Sequence, residues 1–329
     1  MSRLAFAILL LITVRTPAAE RAEVLSVRKI WDKAPHNAFT RLVRFREQWL
    51  CTFREGDKNV PGIDGTVRVI RSGDGEAWES AALLTEAGID LRDPKINVTP
   101  DGRLMLLMGG SVYDGKPGAK RTRIGARPRV AFSTDGSKWT APKPVLGDGQ
   151  WLWDLAWHAG VGSGFSYGTD RDLGRLTLVR TANGVDYTTI VTADLTEYPN
   201  EAAVGFRPDG EMLALVRRER GDKHARLGRS RAPYTDWTWL DVGRVVQGPA
   251  LLVAKDGRLF YAGREYPDGP RTVFGAIEDG KCVPLATLPS GGDTSYPGLV
   301  EGADGTIWMS YYASHEGKSA IYLARLRVR

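Results

Sequence analysis

The sequence predicts an all-β protein, a six-bladed β-propeller with four-stranded antiparallel blades. The first observation behind this prediction is a turn that repeats along the chain. It has a hydroxyl residue, then Asp or Asn, then Gly, then an aromatic residue three positions after the Gly. The turn occurs at residues 72–78, 133–139 and 181–187, and a weaker copy at 230–237 keeps the first Ser and the last Trp. Such internal repetition is the sequence mark of a repeat architecture.

Each member of this turn has a structural task. The Asp or Asn side chain can accept hydrogen bonds from backbone N–H groups ahead of it, and Gly supplies the positive φ that closes the turn. The aromatic side chain packs the turn onto neighbouring strands. We therefore assign structural roles to Asp74, Asp135, Asn183, Trp78, Trp139, Tyr187 and Trp237.

The second observation is the density of short β-forming runs joined by Asp-Gly turns, as between residues 96–98 and 104–107, which indicates antiparallel hairpins. The second strand of each unit ends about every 50 residues, the proportion of a propeller blade. These ends are Arg54, Gly109, Tyr167, Arg217, Arg264 and His315. The third observation is that helical periodicity is nearly absent, with a brief helical turn suggested only at residues 79–84. A solenoid or a pair of β-sandwiches is the alternative.

The even repeat predicts one domain over residues 20–329, and the segment before it resembles a secretory signal. A positive start is followed by an apolar run at residues 4–14 and small residues at 16–19. This run is too short for a spanning helix. We expect residues 1–19 to direct export and the protein to be secreted or periplasmic. Arg15, directly after the apolar run, leaves an uncleaved anchor as the alternative.

Composition excludes several classes of function. The net charge is +6, and the chain has no Lys/Arg run of the kind that binds nucleic acid. Cys51 and Cys282 fall in the predicted first and fifth blades, so we expect two separate, buried thiols, with a disulfide as the alternative in an exported protein. No Cys or His spacing indicates a zinc site. We expect a monomer that needs no metal or cofactor and does not bind a membrane.

In a propeller, first strands start and second strands end around one central pocket. Charged and aromatic residues recur at these positions, which favours a binding site over a solvated surface. The first-strand positions are Asp93, Trp153, Asp154, Asn200, Glu201, Ser295 and Tyr296. The second-strand positions are Arg54, Glu55, Tyr167, Arg217, Arg218, Glu219, Arg264, Glu265, His315 and Glu316.

Several arginines around one pocket predict an anionic ligand, because the planar guanidinium binds a carboxylate through paired hydrogen bonds. Tyr296 stands among them, and we expect its positive neighbours to help the phenol ionise. Glu201 is placed to take the phenol proton. Arg217 and Arg218 are adjacent on one strand, so only one of them faces the pocket, and we favour Arg217.

This pattern resembles the sialidase (neuraminidase) superfamily of glycoside hydrolases, six-bladed propellers with Asp-box (BNR-repeat) turns. The resemblance covers residues 20–329. Its more specific segments come in the order in which sialidases place a Glu, two carboxylate-binding arginines and a nucleophilic Tyr. They are Asn200-Glu-Ala202, Leu215-Val-Arg-Arg218, Ala262-Gly-Arg264 and Ser295-Tyr-Pro-Gly-Leu299.

The resemblance implies an exported exo-glycosidase that removes a terminal acidic sugar, sialic acid or a relative, from a glycan. It makes Tyr296 the nucleophile and Glu201 the group that activates it. It makes Asp64 the general acid/base, with Asp57 as the other choice. The substrate-binding residues are Arg54, Asp93, Arg217 and Arg264, joined on position alone by His315 and Glu316.

The first blade departs from the sialidase pattern. Sialidases start this blade with Arg-Ile-Pro, whose Arg is a third carboxylate-binding group, whereas residues 38–42 read Ala-Phe-Thr-Arg-Leu. Phe39 or Thr40 takes the place of that Arg, and Arg41 lies one or two residues further on. Two other functions therefore stay open: a glycosidase for a non-sialic sugar, and a catalytically silent propeller that binds glycan or protein.

Overall fold

The computed structural model describes residues 21–60, 62–115, 121–170 and 173–329. Among these residues all the regular secondary structure is β-strand, and 25 strands form six antiparallel sheets. The predicted six-bladed β-propeller is therefore confirmed. Residues 1–19 lie outside the described part of the chain, so their role as an export signal stays a prediction. In the described part, no helix has the length and apolar character needed to cross a membrane.

The first three blades follow one another along the chain. The strands of blade 1 are β2 (His36–Phe45), β3 (Gln48–Gly56), β4 (Thr66–Ser72) and β5 (Glu79–Leu84). Those of blade 2 are β6 (Asp90–Val98), β7 (Leu104–Tyr113), β8 (Arg123–Ser133) and β9 (Lys143–Pro144). Blade 3 has a divided inner strand and consists of β10 (Gln150–Leu152), β11 (Ala156–His158), β12 (Val161–Gly168), β13 (Leu176–Thr181) and β14 (Thr188–Thr192).

The last three blades include the closure of the ring. Blade 4 consists of β15 (Pro199–Phe206), β16 (Met212–Arg218), β17 (Arg226–Ser230) and β18 (Thr238–Asp241). Blade 5 consists of β19 (Gln247–Val253), β20 (Leu259–Glu265), β21 (Arg271–Glu278) and β22 (Lys281–Thr287). Blade 6 takes β23 (Thr294–Glu301), β24 (Ile307–Ala313) and β25 (Ala320–Val328) from the end of the chain and β1 (Ala22–Trp31) from its start. Pairing of β1 with β25 thus closes the ring without a covalent link.

The cores lie between neighbouring sheets, where the apolar faces of two blades meet. One such core joins blade 1 to blade 6, and in it the rings of Trp49 and Trp308 lie 4.5 Å apart. Burying this apolar surface between all six neighbours is the main favourable contribution to folding. It also fixes the inner strands around the axis, where the candidate site lies.

The three repeated turns have the hydrogen bonds expected of them. In the first, the Ser72 hydroxyl accepts the N–H of Gly75 at 2.8 Å and Asp74 accepts the N–H of Glu76 at 2.8 Å. The second and third copies repeat both bonds. Backbone N–H donors, that of Ala77 first, hold the pKa of Asp74 below its ordinary value. These residues have structural roles.

The structure corrects one local prediction and agrees with another. Residues 79–84 form strand β5 and not a helical turn, because pairing with β4 satisfies their backbone hydrogen bonds. Cys51 on β3 and Cys282 on β22 are both buried and free, as expected for thiols on different blades.

Candidate active site

The inner strand of each blade is interrupted where it reaches the top of the central channel. Five of these strands carry a register shift of the bulge type, and the sixth is split between β10 and β11. The interruptions lie between Ala38 and Arg41, Arg92 and Lys95, Pro199 and Ala202, Gln247 and Ala250, and Ser295 and Gly298. Bulges turn side chains away from the pleat and are frequent beside active sites.

Local sequence explains why the bulges form. Pro94, Pro249 and Pro297 lie within three of them, and Pro has no N–H to lose when ladder pairing is interrupted. Backbone strain accompanies two more of the residues involved, since Asp93 has φ 47° and Tyr296 has φ 49°. Non-glycine residues at positive φ cost free energy and are concentrated at functional sites. The geometry therefore marks this ring of bulges as the candidate site.

Tyr296 and Glu201 meet at the centre of this ring. The Tyr296 hydroxyl donates to Glu201 Oε1 at 3.1 Å. An Nη1 of Arg217 lies 2.8 Å from the same oxygen and 3.4 Å from the Tyr296 hydroxyl. The backbone N–H of Gly248 donates to the other oxygen of Glu201 at 2.9 Å. Both oxygens of the Glu201 side chain are therefore fixed by hydrogen bonds, and one of them accepts the hydrogen bond from the Tyr296 hydroxyl.

Of the two adjacent arginines, Arg217 faces the centre, as expected. Arg218 instead pairs with Glu197 and Asp222 and donates to the carbonyl of His224 at 2.8 Å. The alternation of side chains along β16 separates the two guanidinium groups.

The expectation that Tyr296 ionises easily is wrong. Burial raises the pKa of Tyr296 well above its ordinary value, and the charge of Glu201 raises it further. Arg217 and Arg264 oppose this effect without overcoming it. Tyr296 is therefore a neutral phenol at rest, and it needs a base at its hydroxyl before it can act as a nucleophile.

Arg264 lies on the other side of the Tyr296 ring, with its guanidinium carbon 5.4 Å from the ring centroid. It donates to Asp293 at 3.1 Å and to the hydroxyl of Tyr312 at 3.1 Å. Burial raises the pKa of the Asp293 carboxyl, but hydrogen bonds from His36 and Tyr312 and the charge of Arg264 outweigh it, so the pKa is lowered. Asp293 is thus an anion that orients Arg264.

A cavity of about 210 Å³ opens beside Glu201, and Asp93 and Arg92 line it. Oδ1 of Asp93 and Nε of Arg92 are buried and have no hydrogen-bond partner among the described residues. Burial raises the pKa of Asp93, although Arg92 and Lys95 oppose this. The two residues form a long ion pair, with Nε of Arg92 3.9 Å from Oδ2 of Asp93. Buried polar atoms are normally hydrogen-bonded, so both groups keep the capacity to bond a ligand in the cavity.

Phe39 and Thr40 of blade 1 both contact Tyr296, and the Thr40 hydroxyl donates to the Tyr296 carbonyl at 3.0 Å. Phe39 makes the ring contact. It has φ 64°, and its ring packs edge-on against Tyr296 with centroids 5.0 Å apart. The guanidinium carbon of Arg92 lies over this ring, 5.1 Å from its centroid. Arg41 does not join them: it pairs with Asp154 at 3.3 Å.

Lys95 of blade 2 is buried beside Trp153, with its Nζ 4.3 Å from the centroid of the Trp153 ring. Trp153 in turn packs edge-on against Tyr296 at 5.4 Å. Burial lowers the pKa of Lys95 to about 8, against the attraction of Asp154, Asp93 and Glu201. The charged form of Lys95 therefore lowers the free energy of unfolding of the protein.

This predicts a pH-dependent difference between wild type and Lys95→Met. The folded protein releases the Lys95 proton near pH 8, but the unfolded chain holds it to about 10.5. Between these values the unfolded state binds more protons, so wild type gains stability relative to the variant as pH rises. Urea unfolding at pH 7, 8, 9 and 10 measures this difference, and a constant gap over that range would contradict the prediction.

Gly248 supports a second prediction, because it touches both Tyr296 and Glu201. Its φ is 57°, and a Cβ at this position would lie 2.7 Å from the Tyr296 ring. We expect Gly248→Ala to displace that ring and to lower any turnover at this site by about 100-fold, the effect of a misplacement near 1 Å. Gly257→Ala is the matched control, since Gly257 also has positive φ in blade 5 but has open space around it. Equal activity of the two variants would refute this role.

Asp64 and Asp57 lie in the loop between β3 and β4. Asp64 pairs with Arg121 at 2.9 Å, and Asp57 accepts the N–H groups of Lys58 and Ile63. The same loop reaches blade 6, where Asn59 donates to Asp293 at 3.0 Å. Both carboxylates thus have partners within or beside the loop, and neither has a described contact with Tyr296 or Glu201.

Three other predicted residues have different surroundings from the central pair. Arg54 is fully buried, pairs with Asp90 at 2.8 Å and donates to the carbonyl of Lys58 at 3.0 Å, so it holds the β3–β4 loop. His315 packs against Tyr322 with ring centroids 5.1 Å apart, and Glu316 pairs with Lys29 at 3.0 Å. Their described contacts do not include Tyr296. The sialidase resemblance also placed Arg54 in the pocket, whereas the spacing of strand ends alone placed His315 and Glu316 there.

Sequence reasoning missed several residues of the site. The residues that were not predicted are Arg92, Gly248, Asp293 and Tyr312. At three of the bulges a site residue stands directly before a proline, in Asp93-Pro94, Gly248-Pro249 and Tyr296-Pro297. That shared pair is the signal that could have identified Gly248 and, by proximity, Arg92. Asp293 and Tyr312 carry no such signal.

Known proteins allow a comparison with this fold. No protein-family model and no curated protein matches the chain. Among solved structures, a protein of unknown function from Dyadobacter fermentans aligns with a TM-score of 0.79 and 19% identity, over 94% of this chain and 99% of that one. An α-L-arabinofuranosidase from Fusarium graminearum, in complex with an iminosugar inhibitor, gives 0.68 and 12%, over 92% and 98%. A sialidase from Streptococcus pneumoniae gives 0.65 and 12%, over 90% and 70%.

Identities this low establish likeness of fold and nothing finer. The chain shares its propeller fold with a sialidase and with an arabinofuranosidase.

Proposed function

We propose that the protein is an exported exo-glycosidase that removes a terminal acidic sugar, sialic acid or a related sugar, from a glycan. The observation that carries the proposal is the hydrogen bond from Tyr296 to Glu201, with Arg217 on the same carboxylate oxygen. A nucleophile paired with a base that a third group orients is the usual arrangement for covalent catalysis. The propeller neighbours that act on glycosides support the reaction class.

In this proposal Glu201 takes the proton of the Tyr296 phenol as its oxygen attacks the anomeric carbon. Because Tyr296 is neutral at rest, the base is needed at the moment of attack. The bond from the anomeric carbon to the leaving oxygen breaks, which leaves a glycosyl-tyrosine. Water then attacks the same carbon, and Glu201 returns a proton to the phenolate.

We assign the general acid to Asp93 in place of Asp64 or Asp57. Asp93 lines the same cavity as Glu201, and its raised pKa favours the protonated form that an acid needs. Its unpartnered Oδ1 is free to meet the leaving oxygen. In the second half of the reaction the Asp93 carboxylate takes the proton of the attacking water.

An acidic sugar is favoured by the cations around the cavity. Arg217 and Arg264 are paired with carboxylates at 2.8 and 3.1 Å, whereas Nε of Arg92 lies 3.9 Å from Oδ2 of Asp93 and makes no hydrogen bond to the described residues. Its position over Phe39 brings a cation from blade 2 towards the place where the sialidase pattern has a blade 1 arginine. A substrate carboxylate there gains a charge-assisted hydrogen bond of roughly 1.5–3 kcal/mol.

The test is hydrolysis of a panel of 4-methylumbelliferyl glycosides by purified protein. The panel holds α-sialoside, β-glucuronide and α-L-arabinofuranoside, and Arg92→Ala is assayed beside wild type. We expect release from an acidic glycoside, with the loss in Arg92→Ala mainly in KM. Release from the arabinofuranoside alone would replace the acidic sugar with a neutral one. No release from any member would favour a propeller that only binds.

A further inference from the structure

The central cavity continues outward between blades 2 and 3. A second cavity, of about 790 Å³, shares Arg123, Tyr167 and Gly168 with the central one. It runs from β8 of blade 2 to Thr189 on β14, the outermost strand of blade 3. We call this second cavity the blade 3 groove.

The two volumes differ in what they can hold. Sites for whole small-molecule ligands are typically about 300–1,000 Å³, so the central cavity of about 210 Å³ accommodates only a small group such as one ring. The blade 3 groove falls within that range. A ligand larger than one ring therefore has continuous space in one direction, towards blade 3.

The lining of the groove indicates the chemistry of that ligand. Its charged groups balance, with Arg123 and Arg175 against Asp148 and Asp170, and Arg123 is already paired with Asp170 at 3.0 Å. The rest is rich in hydroxyl, amide and glycine backbone groups, which donate to and accept from sugar hydroxyls. The described lining includes Gln150, Ser166, Thr177, Thr189, Gly125 and Gly149.

The groove has few large apolar side chains among its described lining residues. Ile124, which is 65% exposed, is its large aliphatic residue among those described, and Tyr167 contributes the ring at the junction with the central cavity. This is enough to cover one face of a sugar ring but gives no wall for a lipid or for apolar peptide side chains.

We propose that the blade 3 groove binds the neutral oligosaccharide chain that follows the terminal sugar of the substrate. This inference rests on the proposed function for its direction, with the terminal sugar in the central cavity. It makes the protein selective for glycans of three or more sugars over simple glycosides.

The experiment uses two neighbouring threonines on β14. Thr189 lines the groove, whereas Thr188 lies outside it, beside Asn183. Because the strand alternates its faces, Thr189→Trp fills the groove and Thr188→Trp places the same side chain outside it. Isothermal titration on the Tyr296→Phe background measures binding without turnover. The probes are methyl α-sialoside, a sialylated pentasaccharide of N-acetyllactosamine units, and the neutral tetrasaccharide of that pentasaccharide.

We expect the pentasaccharide to bind at least about 10-fold more tightly than methyl α-sialoside, a difference of about 1.4 kcal/mol. Thr189→Trp removes this gain and Thr188→Trp keeps it. The proposal that the groove binds the oligosaccharide would be overturned by equal affinity for short and long probes, by equal losses of affinity in the two Trp variants, or by no binding of any probe.

Failure of the proposed function gives a different result. If wild type hydrolyses no glycoside but binds the neutral tetrasaccharide in a manner sensitive to Thr189→Trp, the groove stands and the glycosidase does not. If wild type hydrolyses a methylumbelliferyl glycoside, but the Tyr296→Phe variant binds the pentasaccharide no more tightly than methyl α-sialoside, the glycosidase stands and the groove does not.

Discussion

Tyr296→Phe is expected to abolish turnover, with a fall in kcat on the order of 10⁴-fold or more, as for loss of other covalent nucleophiles. The substitution removes one oxygen, whose described partners are Glu201 and Arg217. It leaves the ring contacts with Phe39 and Trp153 and the cation–π contact with Arg264. The measurement is kcat on the best glycoside of the panel, with burst kinetics on wild type to detect the covalent intermediate.

The control for this variant is its unfolding free energy. Since the ion pair of Arg217 with Glu201 at 2.8 Å does not need the hydroxyl, we expect a change within about 1.5 kcal/mol, the net value of a hydrogen bond. Activity above about a tenth of wild type would show that Tyr296 binds the sugar without attacking it. Glu201 would then have no nucleophile to activate, and the proposed chemistry would fail.

Asp93→Asn is expected to lower kcat/KM, which reports the step that expels the leaving group, by about 10²–10⁴-fold for substrates with a poor leaving group, the usual contribution of a general acid. The loss is much smaller for methylumbelliferyl glycosides, because that leaving group departs with little help from an acid. A purely structural role for Asp93 would lower both rates alike. The comparison of an alkyl and an aryl glycoside of the same sugar therefore separates the two roles.

The pH profile gives an independent result. Burial raises the pKa of Asp93, so wild type keeps the acid protonated to a higher pH than an ordinary carboxyl would and loses activity as the pH rises through that pKa. Asp93→Asn should lose this alkaline decline. Asp64→Asn is the matched control: its ion pair with Arg121 ties it to the loop, and we expect it to keep the profile. The reverse outcome would return the acid to Asp64.

The candidate site was predictable from the sequence in part. Glu201, Arg217, Arg264 and Tyr296 were identified because each lies at a strand end that a propeller directs to its axis. Their mutual distances were not, because a bulge of one or two residues decides which side chain turns inward. The raised pKa of Tyr296 also could not be foreseen, since the neighbouring arginines predict the opposite direction and only burial reverses it.

Neither the spacing of strand ends nor the family resemblance gave the surroundings of Arg54. Arg54 ends a strand at the expected place, but it is buried against Asp90 and the β3–β4 loop. The end of a strand specifies how far a residue lies along the propeller axis, but it does not specify whether the side chain points towards that axis. Arg92 shows the converse, because its proximity to Phe39 joins two blades and no local pattern records it.

The sequence by itself determined the number of blades and the turns that build them. Those features depend on interactions within a few residues, such as the hydroxyl, Asp and Gly of each repeated turn. The tertiary structure alone decided how the ring closes, with residues 22–31 completing blade 6 beside residues 320–328. It also decided which groups meet at the axis. Both depend on contacts between residues far apart in the chain, such as Glu201 and Tyr296, which are 95 positions apart. Packing of whole blades, and no local propensity, sets the geometry of such contacts.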